Sequence, residues 1–328
     1  MTDASTTETH ASEPAADDIV VPFRTVHSGV TGRLVRLGAV ADTILSRHDY
    51  PEPVSEALGH ALALTAMLGS GLKSDGKLIV QTKTDGILDF LVVNFETPGQ
   101  LRGYASYSKE RWAEIAAQEC IDEGKLLGSG HLAMTIDPGD EMNRYQGIVA
   151  LSGEPLTKAA LTYFHQSEQL PTFLRLAVAR HYVPGNGGDG PAWRWRAGGI
   201  LLQHLTQEGG KARPDAQSEE DEQRLAGEDD DDWQRARLLA ATVEDHELLD
   251  PTLAPERLLY RLFHEEGVRA APPRRIAEHC RCSRERVEGF LKRFGAAELQ
   301  DLHEDDGSIT VTCEFCSTKY RFTPEELA

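Results

Sequence analysis

Apolar positions along this chain change period several times, and the changes mark out its elements. Strand-like alternation opens at Val20-Val21-Pro22-Phe23 and returns at Gly32-Arg33-Leu34-Val35-Arg36. After Pro53 the spacing becomes helical: Val54, Leu58, Ala61, Leu62, Thr65 and Leu68 recur on one stripe. Leu64 and Met67 add apolar positions off that stripe, so this helix is expected to be buried on most sides. Lys77 to Thr84 and Ile87 to Phe95 then flank Asp85-Gly86, a turn dipeptide between two β-rich runs, which predicts a hairpin. Further strands are expected at Leu132 to Ile136, Tyr145 to Leu151, Leu174 to Ala179 and Trp193 to Leu205, with a helix at Leu156 to Gln166. Hairpin strands with interspersed helices predict an α+β domain built on mainly antiparallel sheet over residues 20–206. Gly198-Gly199 interrupts an apolar strand, where close backbone packing or a bulge is expected.

The pattern then breaks. Residues 207–232 carry Gly209-Gly210, Pro214, Glu219 to Glu222 and Glu228 to Asp232 with almost no apolar side chains, as in a self-repelling solvated tether. Behind it Trp233, Ala236, Ala240 and Val243 line one helical stripe, and after Pro255 a second face is formed by Leu258, Leu259, Leu262 and Phe263. Two short amphipathic helices on a charged tether can dock on the larger domain and can also come away from it. The exposed apolar face of such a linker would hold Trp233, Val243, Leu258 and Leu262. Pro272-Pro273 separates this linker, residues 207–271, from a last module at 272–328. There a helix from Ser283 to Phe294 is expected, capped by Ser283, with Val287, Phe290, Leu291 and Phe294 on its buried face. Ile309 to Thr312 and Lys319 to Phe322 read as the arms of a hairpin.

Four of the five cysteines fall in that module, as Cys280-Arg281-Cys282 and Cys313-Glu314-Phe315-Cys316. Two tight pairs about thirty residues apart are what four tetrahedral sulfur ligands of one zinc ion look like in sequence. Each pair is also close enough to close as a local disulfide, so the same sulfurs can hold a metal or an oxidative bond, but not both. A permanently reduced structural site is one reading. The single residue between Cys280 and Cys282 favours a switch, because a bridge there closes a small strained ring.

Length and composition narrow the function. The chain has 328 residues, 40% of them hydrophobic, enough for two domains or one domain with an appendage. A net charge of −19 argues against nucleic acid as a partner. Residues 1–19 are polar and acidic, without the order of a signal peptide, and are expected to be a disordered tail. The run Ala57 to Leu72 is too short to span a bilayer, and clustered cysteines without an export signal fit a reducing cytoplasm. No phosphate-loop, nucleophile-elbow or His-Glu-x-x-His signature is present. His131, His165 and Glu168 lie on separate elements, and Cys120 stands alone, so no enzyme is expected. Two rival readings concern the last module. Ile276 to Phe294, with Arg274, Arg275, Arg281, Arg284, Arg286, Lys292 and Arg293, is similar to a zinc-containing helix-turn-helix regulator of DNA. A thiol-disulfide oxidoreductase would use Cys313 and Cys316, but its reactive pair would open a helix rather than sit between strands.

Several of these stretches resemble the heat shock protein 33 family of redox-regulated bacterial holdase chaperones. The resemblance is carried by the Cys-x-Cys and Cys-x-x-Cys pairs, by Cys280 to Arg286 and by Arg261-Leu262-Phe263-His264-Glu265-Glu266. Arg144 to Gly147, Ser167 to Thr172 and Ala197 to Gln203 carry it through the large domain. It implies an N-terminal α+β domain, a helical linker and a C-terminal redox switch holding one Zn2+ on Cys280, Cys282, Cys313 and Cys316 when reduced. It further implies cytoplasmic residence, unfolded client proteins as partners, and dimerisation on activation. In the oxidised form it implies disulfides Cys280–Cys282 and Cys313–Cys316. Ser317 departs from the glycine common in such knuckles, and the acidic tether is long.

Overall fold

A computed structural model describes residues 17–117, 121–139, 144–185, 190–204, 230–295, 299–304 and 306–327. Two six-stranded sheets lie on either side of one helix. The first sheet runs β10–β1–β2–β9–β8, from β1 (Ile19–Thr25), β2 (Thr31–Leu37), β8 (Thr172–Val183), β9 (Ala192–Gln203) and β10 (Val268–Ala270), with β11 (Arg274–Arg275) also on β1. The second runs β12–β5–β4–β3–β6–β7, from β3 (Lys77–Thr84), β4 (Leu88–Glu96), β5 (Gln100–Tyr107), β6 (Ser129–Asp137), β7 (Tyr145–Ser152) and β12 (Ala277–Glu278). Every pairing is antiparallel except that of β12 with β5. The fold is α+β on mainly antiparallel sheet.

Helix α1 (Ala39–Leu45) leads to α2 (Glu52–Gly69), which packs against strands of both sheets and is buried almost throughout. Each fully buried Leu, Val or Met on it contributes about 1.5–3 kcal/mol, which makes α2 the axis of the main core. Helices α3 (Lys109–Ile115), α4 (Glu123–Leu127) and α5 (Leu156–Tyr163) follow, α5 continuing as a π turn from Phe164 to Glu168. Strand β5, helices α1, α3 and α4, and the extension of β8 to Val183 carry no clear sequence signal.

Both faces of the first sheet are covered except at the outer ends of β8 and β9, where Tyr182, Val183 and Trp193 are exposed. Val20, Val35 and Leu201 face α2, whereas Ile19, Val21, Phe23, Leu34, Ile200 and Leu202 belong to a second core on the outer face. That core is completed by the linker, which forms three helices rather than two: α6 (Asp231–Ala241), α7 (Asp245–Leu249) and α8 (Pro255–Phe263). Asp230 caps α6 by accepting the Trp233 N–H at 2.9 Å, and Pro255 opens α8. Trp233, Ala236, Ala240, Val243, Leu258, Leu259, Leu262 and Phe263 are all buried against the sheet. Short α7 escapes the apolar period because Leu248 is its one buried residue; a capping box between Glu244 and Glu247 holds it. Asp17 and Asp18 are tied down beside β1. Arg196 grips Asp17 at 2.6 and 2.9 Å, and Asp18 accepts the N–H groups of Gly38 and Val40. Cys120 and the acidic run through Asp229 lie outside the described residues.

At the C-terminal end α9 (Arg284–Leu291) is capped by Ser283, β13 (Ile309–Thr312) pairs with β14 (Lys319–Phe322), and α10 (Pro324–Leu327) follows. Two expectations fail here. Residues 274–278 form β11 and β12 on the two sheets, so the first helix of a helix-turn-helix does not exist. Phe290 and Phe294 do not face a core: they are 55% and 36% exposed, with ring centroids 5.0 Å apart. Among the described residues the module's buried centre is Leu291, Ile309 and Phe322, with Val287, Leu299, Val311, Tyr320 and Leu327 packed against it, and neither ring belongs to it.

Candidate metal centre

A four-residue hairpin arm, a tight turn and a return arm place Cys313 and Cys316 together, and the segment leaving β12 brings Cys280 and Cys282 to the same point. The four sulfurs all lie within 4.8 Å of one another. Cys280 Sγ is 3.7 Å from Cys313 Sγ, and Cys282 Sγ is 3.1 Å from Cys316 Sγ. A tetrahedral zinc site with Zn–S bonds of about 2.3 Å has sulfur–sulfur edges of about 3.8 Å, so this donor set fits such an ion after small side-chain movements. Four sulfurs without nitrogen or carboxylate partners are a soft set suited to zinc or cuprous copper rather than magnesium or calcium.

The surroundings hold the sulfurs in place. Tyr320 Oη donates to Cys282 Sγ at 3.2 Å, and backbone N–H groups of Phe315 and Cys316 point to the Cys313 sulfur. Burial pushes the Cys282 thiol up to about 12 and raises Cys313 as well. Burial also works against ionising Cys316, but the hydroxyl and N–H of Thr318 and the Cys282 sulfur prevail and bring it down to about 6. Burial thus opposes ionisation of Cys282 and Cys313, and a cation among the sulfurs would offset it. Ser317, next in the turn, has φ +57, the left-handed region that glycine occupies without strain.

The centre is docked on the large domain through contacts the sequence did not assign. β12 extends the second sheet at β5, and Ala277 and His279 donate to the carbonyls of Gly99 and Leu101. Arg281, between the first two cysteines, forms an ion pair with Glu96, and Glu278 pairs with Arg47 at 2.7 Å. Phe315, between the second two, packs on Tyr104 and lies beneath Arg102, whose guanidinium carbon is 4.2 Å from the ring centre. One intervening residue of each motif thus contacts the large domain. Only Phe315, an aromatic residue in a turn, offered a sequence signal for such a contact. Of the basic residues that suggested DNA, Arg274, Arg281, Arg284, Arg286 and Lys292 bond within the chain.

The linker residues Trp233, Val243, Leu258 and Leu262 converge on one core but lie under the linker, against the first sheet. His131 lies on β6, whereas His165 and Glu168 share the π turn after α5 rather than separate elements; Glu168 accepts a bond from the Tyr163 hydroxyl at 3.1 Å. Among the described residues no helix is long and apolar enough to cross a membrane.

Comparison with known proteins agrees with this arrangement. Residues 18–323 match the sequence model described as Hsp33 protein. The 33 kDa chaperonin of Caulobacter vibrioides is 43% identical over 309 residues, covering 94% of this chain and 95% of that one. The 33 kDa chaperonin of Pseudomonas aeruginosa is 38% identical over 300 residues, 91% of this chain and 89% of the relative. The fold is similar to the crystal structure of the 33 kDa chaperonin of Thermotoga maritima, with a TM-score of 0.69 at 20% identity, covering 94% of this chain and 96% of that one.

Proposed function

Since the chain belongs to the Hsp33 family, we propose that it is a chaperone of the holdase type, working without ATP and governed by the oxidation state of Cys280, Cys282, Cys313 and Cys316. The observation that carries this reading is the meeting of those four sulfurs in a module whose cysteine-bearing segments dock on the same domain as the apolar linker. A zinc ion held there would supply cross-linking of the two cysteine segments, on the order of 10–16 kcal/mol for a structural site at neutral pH. A core of three buried residues has little other support.

Oxidation removes the donors. A cysteine thiolate attacks peroxide, forming an S–O bond as the O–O bond breaks and hydroxide leaves. The neighbouring thiol of the pair then displaces water as the S–S bond closes. Closure within pairs, Cys280–Cys282 and Cys313–Cys316, frees the two segments from each other, whereas closure across pairs would staple them together. Local pairing is therefore the pairing this reading needs. With the segments freed, β12, Arg281 and Phe315 lose their fixed positions on the second sheet, and β10 and β11, which lead to them from α8, lose an anchor. The linker face with Trp233, Val243, Leu258 and Leu262, and the sheet face beneath it, then become available to unfolded proteins. The protein would act in the cytoplasm, as a homodimer once oxidised, without catalytic turnover.

The test is to count zinc and free thiols before and after peroxide while following aggregation of a heat-unfolded test protein. One zinc per chain with no suppression, changing to zinc loss with suppression, is expected. Equal suppression by the reduced, zinc-loaded protein would overturn the switch.

A further inference from the structure

The sheet face beneath the linker is not purely apolar. At one end of the patch formed by Ile19, Val21, Leu34 and Ile200 stand Arg36 on β2 and Arg196 on β9, with relative exposures of 0% and 7%. Gly198 is paired with Arg36 across the ladder and lies two residues from Arg196 on the same face. A Cβ at Gly198 would come within 2.7 Å of the Leu248 carbonyl oxygen, so the glycine lets linker backbone reach the sheet. The arginines bond that backbone. Arg36 donates to the carbonyl of Glu247 at 2.8 Å and to that of Leu253, and Arg196 donates to that of Leu249 at 2.6 Å.

Glu247 and Leu249 lie in the last turn of α7, whose carbonyls have no partner within the helix and carry the negative end of its dipole. Among the described residues Asp17 is the carboxylate hydrogen-bonded to this pair, and it bonds Arg196; Asp250 and Glu256 stand near Arg36 without a hydrogen bond to it. Arg36 keeps a buried Nε–H without an acceptor. A surface shaped only to bury apolar linker would be no less stable with apolar side chains at both positions. The buried Arg36 fork, with a donor to spare, and the Nε–H of Arg196, whose fork is held by Asp17, instead suit a site that receives peptide carbonyls.

We propose that Arg36 and Arg196 form a receptor for unpaired main-chain carbonyl groups, occupied by the linker in the resting protein and taken over by a client polypeptide once the linker has left. This rests on the holdase reading above and names what the uncovered face recognises: an unfolding segment that offers free carbonyls, as at the last turn of a helix, beside apolar side chains. Such groups occur in every polypeptide, so the contact adds affinity without sequence selectivity.

The experiment uses the full chain, oxidised with peroxide, and measures capture of heat-unfolded citrate synthase as the probe. Wild type is compared with Arg36→Met, Arg196→Met, the double substitution and Arg36→Lys. Methionine keeps length and adds apolar surface, so a purely apolar receptor predicts equal or better capture. The carbonyl receptor predicts capture weakened about tenfold by each methionine, with Arg36→Lys between it and wild type. Capture by the double variant at or above the wild-type level would overturn the proposal. Should the double variant fail to keep its far-ultraviolet circular dichroism, the single variants decide on the same criterion. Absence of capture by oxidised wild type would instead refute the holdase reading itself.

Discussion

Trp233 offers a way to release the linker without touching the cysteines. Its side chain is buried to 1% exposure between α6 and the first sheet, stacked on His204 with ring centroids 6.0 Å apart. Replacing it by alanine removes the largest apolar contact of α6 and leaves a cavity, at a cost of about 3–5 kcal/mol. The lost contacts bridge linker and sheet, so the cost falls on docking rather than on the main core around α2. At 1.4 kcal/mol per factor of ten, the docked-to-undocked ratio drops by about two to three and a half orders of magnitude. Hydrogen exchange of the α6 to α8 amides should accelerate accordingly in the reduced, zinc-loaded protein, while α2 stays protected. Under the same reducing conditions Trp233→Ala should suppress aggregation of a heat-unfolded protein, though less fully than oxidised wild type, since α7 and α8 keep their own contacts. Undocked linker amides in a variant that still needs oxidant for any suppression would refute the claim that linker position controls the chaperone.

Two further outcomes follow from local chemistry. Ser317 holds φ +57, which costs a side-chain-bearing residue about 1–2 kcal/mol, while glycine loses about 0.5–1 kcal/mol through its freer unfolded chain. Ser317→Gly should therefore steady the knuckle by about 0.5–1 kcal/mol and slow zinc loss to a chelator about two- to fivefold; faster loss would contradict the strain. The Glu266 carboxyl is held below its ordinary value chiefly by its bond from Arg235, which ties the start of α6 to the turn after α8. A depressed carboxyl contributes stability above its unfolded value of about 4.5 that is lost as pH falls through the lower folded value. With the intrinsic pH dependence of exchange divided out, protection of the linker amides should thus be flat from pH 7 to about 5 and fall below that. Glu266→Gln should lower that protection at pH 7, most at the α6 amides, and only modestly because the Arg235 side chain is 47% exposed. Unchanged protection would show that this pair does not secure the linker.

Much of this architecture was legible because period and burial agree. The stripe on α2, the Asp85-Gly86 hairpin and the faces of α6 and α8 each announce one local decision that is met, and the four cysteines come together in space. The misses share a different cause. β12 is two residues long and exists only because β5 offers an edge, so nothing within Ala277-Glu278 signals it. Ile276 to Phe294 resembled a DNA reader because the positive charge in and before it is visible in sequence, whereas Glu96, Glu326 and the Ser70 carbonyl that absorb part of it are far away along the chain. Phe290 and Phe294 keep helical spacing although neither ring belongs to the module's buried centre. Arg36 and Arg196 sit in strands where a buried cation is unexpected until the linker carbonyls come into view.

The most direct measurement replaces Cys280, Cys282, Cys313 and Cys316 together by serine and follows both folding and aggregation suppression in the presence of reductant. With no sulfur left to bind an ion or to oxidise, the account predicts an unfolded C-terminal module, an exposed linker and a chaperone active without peroxide. A module that stays folded in a protein that never suppresses aggregation would contradict it.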